Sequence, residues 1–239
     1  MNATPILLAW SGGKDCLLAL QRLRADPQWQ PVGLLTTINR TYQRIAMHGT
    51  RRDVLLAQAD ALGLPLVEVP LDWPGSNEAY EAAHAAALEQ AQRRWPGLRC
   101  CAFGDLFLED VRDYRVRQLG GAGWRAVFPL WGEDTAALSR RFVAEGHRAV
   151  LCCVDTQQLD AGYCGRPYDR ALLDALPVGV DPCGERGEFH TLSYAGPLFR
   201  RPLVLRHGES TLRDERFQFT DFLLDSGHDD AGSGHAVVR

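Results

Sequence analysis

Two short stretches carry the residue types that chemistry needs. Residues 11–16 read SGGKDC and stand between the apolar run ILLAW and a segment of helical spacing. Paired glycines permit positive φ, or close approach of another group to the backbone. The first amides of a helix lack intrahelical partners and sit at the positive end of its dipole. With Lys14 beside it, the corner formed by Ser11, Gly12 and Gly13 is a candidate phosphate site; the plainer reading is a strand-to-helix turn with a surface lysine. Residues 183–191, CGERGEFHT, crowd Glu185, Glu188 and His190 among glycines. Charge and glycine make a poor core, so an exposed, shaped loop is expected. It serves either as a solvated turn with a capping glutamate or as a place where protons are handled.

Single residues add to these. Gly104 and Asp105 close the run RCCAFGD, at the carboxyl edge where open α/β sheets place ligands. Asp105 reads equally as a ligand contact and as a helix N-cap. His48, in AMHGT, precedes a helical pattern at the same edge, as a ligand contact or as a loop histidine with a structural hydrogen bond. Arg166 and Tyr168, in GRPYD, read as substrate contacts or as surface residues.

These residues need a frame, and the chain supplies one. Over the first two-thirds, apolar strand-like runs (ILLAW, PVGLLTTIN, PLVEVPL, RCCAFGDLF, RAVFPLW, HRAVLCCVD) alternate with helical patterns. Runs of that kind joined by helices predict a parallel sheet covered on both sides. From Asp155 the pattern breaks up, and RFQFTDFLL alternates as an antiparallel strand does. The expected organisation is a phosphate-binding domain over 1–130, a substrate-binding region over 131–225 and a flexible tail over 226–239. One continuous sheet with a C-terminal elaboration is the alternative.

Composition narrows the class. Twenty-six basic against thirty acidic side chains give a net charge of −4, so no general attraction to nucleic acid follows. No apolar run approaches the ~20 residues that span a bilayer, and no secretory leader is read, so a cytoplasmic protein is expected. Two of the cysteine pairs are adjacent, Cys100–Cys101 and Cys152–Cys153, and no CxxC occurs. Core packing of free thiols is therefore expected at these pairs rather than zinc.

Two familiar phosphate loops do not fit residues 11–16. A Walker A loop requires a glycine where Leu8 stands and a serine or threonine where Asp15 stands. The dinucleotide pattern fails too. SGGKDC after the first strand instead resembles the PP-loop of the N-type ATP pyrophosphatases. The segments AFGDLFLEDVRDYR, FPLWGEDTAAL, VDTQQLDAGYCGRPYD and DPCGERGEFHT follow in order. Together these resemble the diphthine–ammonia ligase family, also described as ATP-binding type 4, over about residues 5–200.

The resemblance implies a HUP-type, Rossmann-like parallel sheet with helices on both faces and a smaller C-terminal substrate-binding region. It implies an ATP-dependent ligase that adenylates a carboxylate, releases pyrophosphate and passes the acyl group to ammonia. In the family the acceptor is diphthine on translation elongation factor two; here a small-molecule or protein-borne carboxylate is expected. By the same resemblance, Ser11, Gly12, Gly13, Lys14, Asp15 and Cys16 hold ATP, with His48 and Gly104 as further nucleotide contacts. Asp15 also takes Mg²⁺. Lys14, Asp105, Glu188 and His190 are the expected catalytic residues, and Glu185, Arg166 and Tyr168 the substrate contacts. Cys16 departs from the usual serine of the loop, exchanging a hydroxyl for a weaker thiol donor. A homo-oligomer is compatible with this reading. The competing readings are a PP-loop RNA thiolation enzyme, drawn from Cys16, Cys164 and Cys183, and a non-catalytic nucleotide-binding regulator.

Overall fold

The computed structural model describes residues 3–45, 48–72 and 74–225 and the backbone of 237–238. The chain divides into two compact units. The first comprises residues 1–11, 15–46 and 64–133; the second comprises 12–14, 47–63 and 134–239.

In the first unit, five short apolar segments form β1 (Thr4–Ala9), β2 (Trp29–Asn39), β3 (Leu66–Leu71), β4 (Cys100–Ala102) and β5 (Arg125–Val127). All pair in parallel, in the order β3-β2-β1-β4-β5. The connections contain α1 (Lys14–Ala25), α2 (Arg52–Leu62), α3 (Asn77–Arg94) and α4 (Glu109–Gly121). Local chemistry sets these ends. Ser76 caps α3 by accepting from the Ala79 amide at 3.2 Å, and Gly63 closes α2 in the left-handed region. Leu7, Val67, Val69, Leu88, Cys101 and Phe103 lie in the buried cluster under the sheet.

The strand order has a consequence for function. The chain builds outward from β1 through β2 to β3, then returns to the other side of β1 with β4 and β5. The order therefore reverses between β1 and β4, and their carboxyl ends flank the crevice in which such sheets bind ligands. Residues 10–11 and 103–105 stand there.

In the second unit, Asp134 caps α5 (Thr135–Ala144) by accepting from the Ala137 amide at 2.7 Å. There follow β6 (Arg148–Asp155), α6 (Arg170–Ala175), β7 (Phe189–Ala195), β8 (Leu205–Arg213), β9 (Phe217–Leu224) and β10 (Val237–Val238). The strands form one antiparallel sheet in the order β10-β8-β9-β6-β7. Residue 51, just before α2, ties that helix to β9, because the Arg51 guanidinium grips both oxygens of Asp221 at 2.6–3.0 Å.

The α/β class is borne out as a Rossmann-like parallel sheet with helices, accompanied by a separate antiparallel sheet. HRAVLCCVD, expected to continue the parallel series, instead belongs to the antiparallel sheet. Seven of the eight residues of β6 are buried, and a strand buried on both faces reads the same in either kind of sheet. The expected tail lies outside the described residues, apart from β10, which pairs with β8. Cys100, Cys101, Cys152 and Cys153 are all buried and free. Burial raises the Cys152 thiol and pushes those of Cys101 and Cys153 up to about 12, so all three are packed as neutral thiols.

Gly104 is required by packing at the crevice. A Cβ there would stand 2.9 Å from the Asp15 carbonyl carbon and 3.0 Å from the Cys16 amide, in the first turn of α1. Gly104→Ala is therefore expected to lower stability by about 1–3 kcal/mol, as overpacking against backbone does. Urea unfolding measures it, and an unchanged midpoint would contradict this packing.

Candidate functional site

Within the second unit, the glycine corner is laced to two elements. Gly12 has φ +83°, and a Cβ there would meet Gln58 Oε1 at 2.9 Å. Gln58, fully buried in α2, donates through Nε2 to the carbonyls of Gly12 (3.0 Å) and Ser193 (2.6 Å). The Ser193 amide of β7 donates to the same Gly12 carbonyl at 2.8 Å. The Lys14 amide donates to Thr191 Oγ1 at 3.0 Å. An expected phosphate corner is thus fixed by side chains from residues 58 and 191 that carry no phosphate signature of their own.

Lys14 is 1 % exposed, not the surface lysine of the plain alternative. Its Nζ donates to the Cys183 carbonyl, and it lies 5.6 Å from the Tyr168 ring centroid and 5.8 Å from that of Phe189. An ammonium is taken out of water only where carbonyls, anions or aromatic faces receive it. The turn that offers the carbonyl is held from several sides. Glu188 accepts from the amides of Asp181 (2.8 Å) and Arg186 (3.0 Å). Asp181 accepts from the Cys183 amide (2.7 Å) and from Thr135 Oγ1 (2.9 Å). The Tyr168 hydroxyl donates to the Pro182 carbonyl at 2.6 Å.

These contacts change three expectations. Glu188 is 2 % exposed, so CGERGEFHT is not the exposed loop anticipated. The glycines let the chain fold back on itself, as at Gly184 (φ +68°), and both Glu188 oxygens are occupied by backbone amides. Phe189 and His190 already belong to β7. Tyr168 is buried rather than superficial.

His190 and His48 stack, with ring centroids 4.3 Å apart. Desolvation lowers His190 to about 4, with the Lys14 charge adding to the shift. Desolvation also carries His48 well below its ordinary value, reinforced by His190 and Lys14 and opposed by a hydrogen bond to the Thr191 backbone. Both imidazoles are neutral at pH 7. Among the described residues, two buried polar atoms beside this cluster lack a hydrogen-bond partner: His48 Nδ1 and Ser193 Oγ.

The structure thus brings Gly12, Gly13, Lys14, His48, Tyr168, Glu188 and His190 into one neighbourhood of the second unit. Glu185 lies in the same turn as Glu188, whereas Arg166 covers the Tyr163 ring at 4.7 Å. In the first unit, the Ser11 hydroxyl donates to Cys16 Sγ at 3.6 Å, and Asp15 occupies the first turn of α1. Asp105 is paired with Arg115 Nε at 2.9 Å. It is not the cap of α4, whose N-cap position is Leu108.

With this geometry in place, comparison with known families becomes informative. Residues 134–219 match the family model of the diphthamide synthase C-terminal domain. The resemblance to the diphthine–ammonia ligase family is borne out over that stretch, which holds Arg166, Tyr168, Glu185, Glu188 and His190. No match is found among curated proteins.

Sequence reasoning missed Gln58, Thr135, Asp181, Thr191 and Ser193. Gln58 does leave a trace, being the polar residue on the buried face Val54, Leu55, Ala59, Leu62 of α2. Asp181 and Thr135 act through turns and caps and leave none.

Two outcomes follow. A folded-state His190 near 4, against about 6.5 in the unfolded chain, leaves the unfolded state with more bound protons between those values. Stability is then lost as pH falls from about 6.5 toward 4. His190→Asn should flatten that dependence, read as melting temperature against pH, and parallel curves for parent and variant would refute the shift. Cys16→Ser should keep activity within a few-fold, because Ser11 can donate to a hydroxyl as well as to a thiol. An inactive Cys16→Ser protein would instead assign the thiol a chemical role.

Proposed function

We propose that the protein is an ATP-dependent amide ligase that forms AMP and pyrophosphate, activating a carboxylate and transferring it to ammonia. The observation that carries this reading is the buried Lys14 ammonium. It follows directly on the glycine corner and faces two histidines that burial keeps neutral. A site that holds one cation and discharges two others is prepared for a polyanion, whose arrival would raise both imidazole pKa values. The unpartnered His48 Nδ1 and Ser193 Oγ fit the same ligand. The match over residues 134–219 supports an enzyme of the diphthamide synthase kind.

In this reading the amides of residues 11–13 and the Ser11 hydroxyl hold the departing pyrophosphate, and Lys14 neutralises it. Asp15 would hold Mg²⁺, which supplies further charge neutralisation at the phosphates; one or two carboxylates suffice for that ion. The substrate carboxylate attacks the α-phosphorus and pyrophosphate leaves. Ammonia then adds to the acyl carbon and AMP leaves. Neutral His190 accepts the proton that ammonia loses. Glu188 is a positioning residue, since its oxygens are engaged by the turn that aims the Cys183 carbonyl. A sulfur carrier would need a thiol of lowered pKa, whereas burial raises that of Cys164.

The test uses radiolabelled ATP, ammonia and a panel of carboxylates that includes diphthine-bearing elongation factor two. Formation of AMP, pyrophosphate and an amide is expected. ATP binding without turnover, or sulfur transfer to tRNA, would overturn the proposal. Lys14→Ala should lose about 10²-fold or more. His190→Ala should lose about 10²–10⁴-fold while ATP still binds, with partial recovery at higher pH as free ammonia rises. Activity of His190→Ala within twofold of the parent would remove His190 from the mechanism.

A further inference from the structure

In the first unit a cavity of about 500 Å³ opens between α3 and α4. Glu81, His84 and Leu88 line it from α3, and Tyr114, Arg117 and Gln118 from α4. Spacings of three, four and seven residues put the α3 set on a single helix face, and Arg117 and Gln118 stand three and four residues after Tyr114 on one face of α4. These faces would meet if the helices packed against one another; here they stand apart around a space.

Two polar groups in this space are unpaired. His84 is 7 % exposed and has no hydrogen-bond partner among the described residues; its one ring neighbour is Tyr80, at 6.0 Å. Gln118 Nε2 is buried and also lacks a partner. Leaving a buried donor such as Gln118 Nε2 unpaired costs about 1–3 kcal/mol, and interiors rarely tolerate it without a reason. Desolvation, with the Arg115 charge adding to it, keeps His84 neutral and therefore able both to donate and to accept.

We propose that this cavity binds a small molecule with a carboxylate and an apolar body, of the size and charge pattern of a hydrophobic α-amino acid. The Gln118 amide and the Arg117 guanidinium are donors for the carboxylate. Glu81 is the acceptor for an ammonium, and Leu88 offers an apolar wall. The volume lies within the range of small-molecule sites. Arg115, next to Tyr114 in α4, is bonded through Nε to Asp105 at 2.9 Å. The proposal does not depend on the ligase reading.

The test titrates the full chain with L-phenylalanine, 3-phenylpropionate and phenethylamine, followed by calorimetry and by ligand-observed NMR. L-Phenylalanine should bind saturably, and phenethylamine, lacking the carboxylate, about tenfold more weakly or worse. Gln118→Leu and Arg117→Ala should each weaken L-phenylalanine by about tenfold with unchanged circular dichroism. Gln118→Glu, which places a carboxylate against the ligand's own, should abolish binding. No saturable binding of L-phenylalanine, affinities within twofold of the parent in all three variants, or phenethylamine binding as tightly as L-phenylalanine would each overturn the assignment.

Discussion

A single buried charge organises the second unit. Placing the Lys14 ammonium out of water costs several kcal/mol unless donors, acceptors and ring faces compensate it. Part of the answer is a main-chain carbonyl. That carbonyl, at Cys183, belongs to a turn anchored by the buried Asp181, Glu188 and Tyr168 and by the partly buried Thr135. A carbonyl accepts from the ammonium without cancelling its charge. Burial holds both histidines below their ordinary values, and the Lys14 charge adds to that shift.

The same logic explains why a glycine corner alone does not make the site. Gly12 supplies the positive φ, but its carbonyl is held by Gln58 from α2 and by the Ser193 amide from β7. Three segments far apart in sequence, residues 12–14, 47–63 and 189–195, therefore fold as one body. A short loop whose ends are fixed in this way presents its amides without having to order them when a ligand arrives, and such preorganisation is what electrostatic stabilisation of a reacting group requires.

How much of this was legible follows from which interactions are local. The alternation of apolar runs and helical patterns announced the parallel sheet. The corner at 11–16 and the residues Lys14 and His190 stood out because their types and spacing are chemically unusual. The direction of β6 was hidden, since a strand buried on both faces carries no alternation to read. The burial of Glu188 was hidden for a related reason. A glutamate among glycines looks solvated, and only the fold brings the Asp181 and Arg186 amides to its two oxygens. Gln58 lay between these cases, visible as a polar break in an apolar stripe but without a partner to give it meaning.

The two histidines are where the electrostatics and the chemistry meet. An imidazole held near 4 is a poor base in the empty site, and it could neither keep nor pass on a proton at neutral pH. Negative charge delivered beside Lys14 acts in the opposite sense to both burial and the ammonium, so it restores basicity only when the anion is in place. His190 would then be most able to accept a proton after the phosphates have bound and least able before. On the proposed reading, proton handling would be conditional on occupancy through the same ammonium that holds the occupant, with no moving part required.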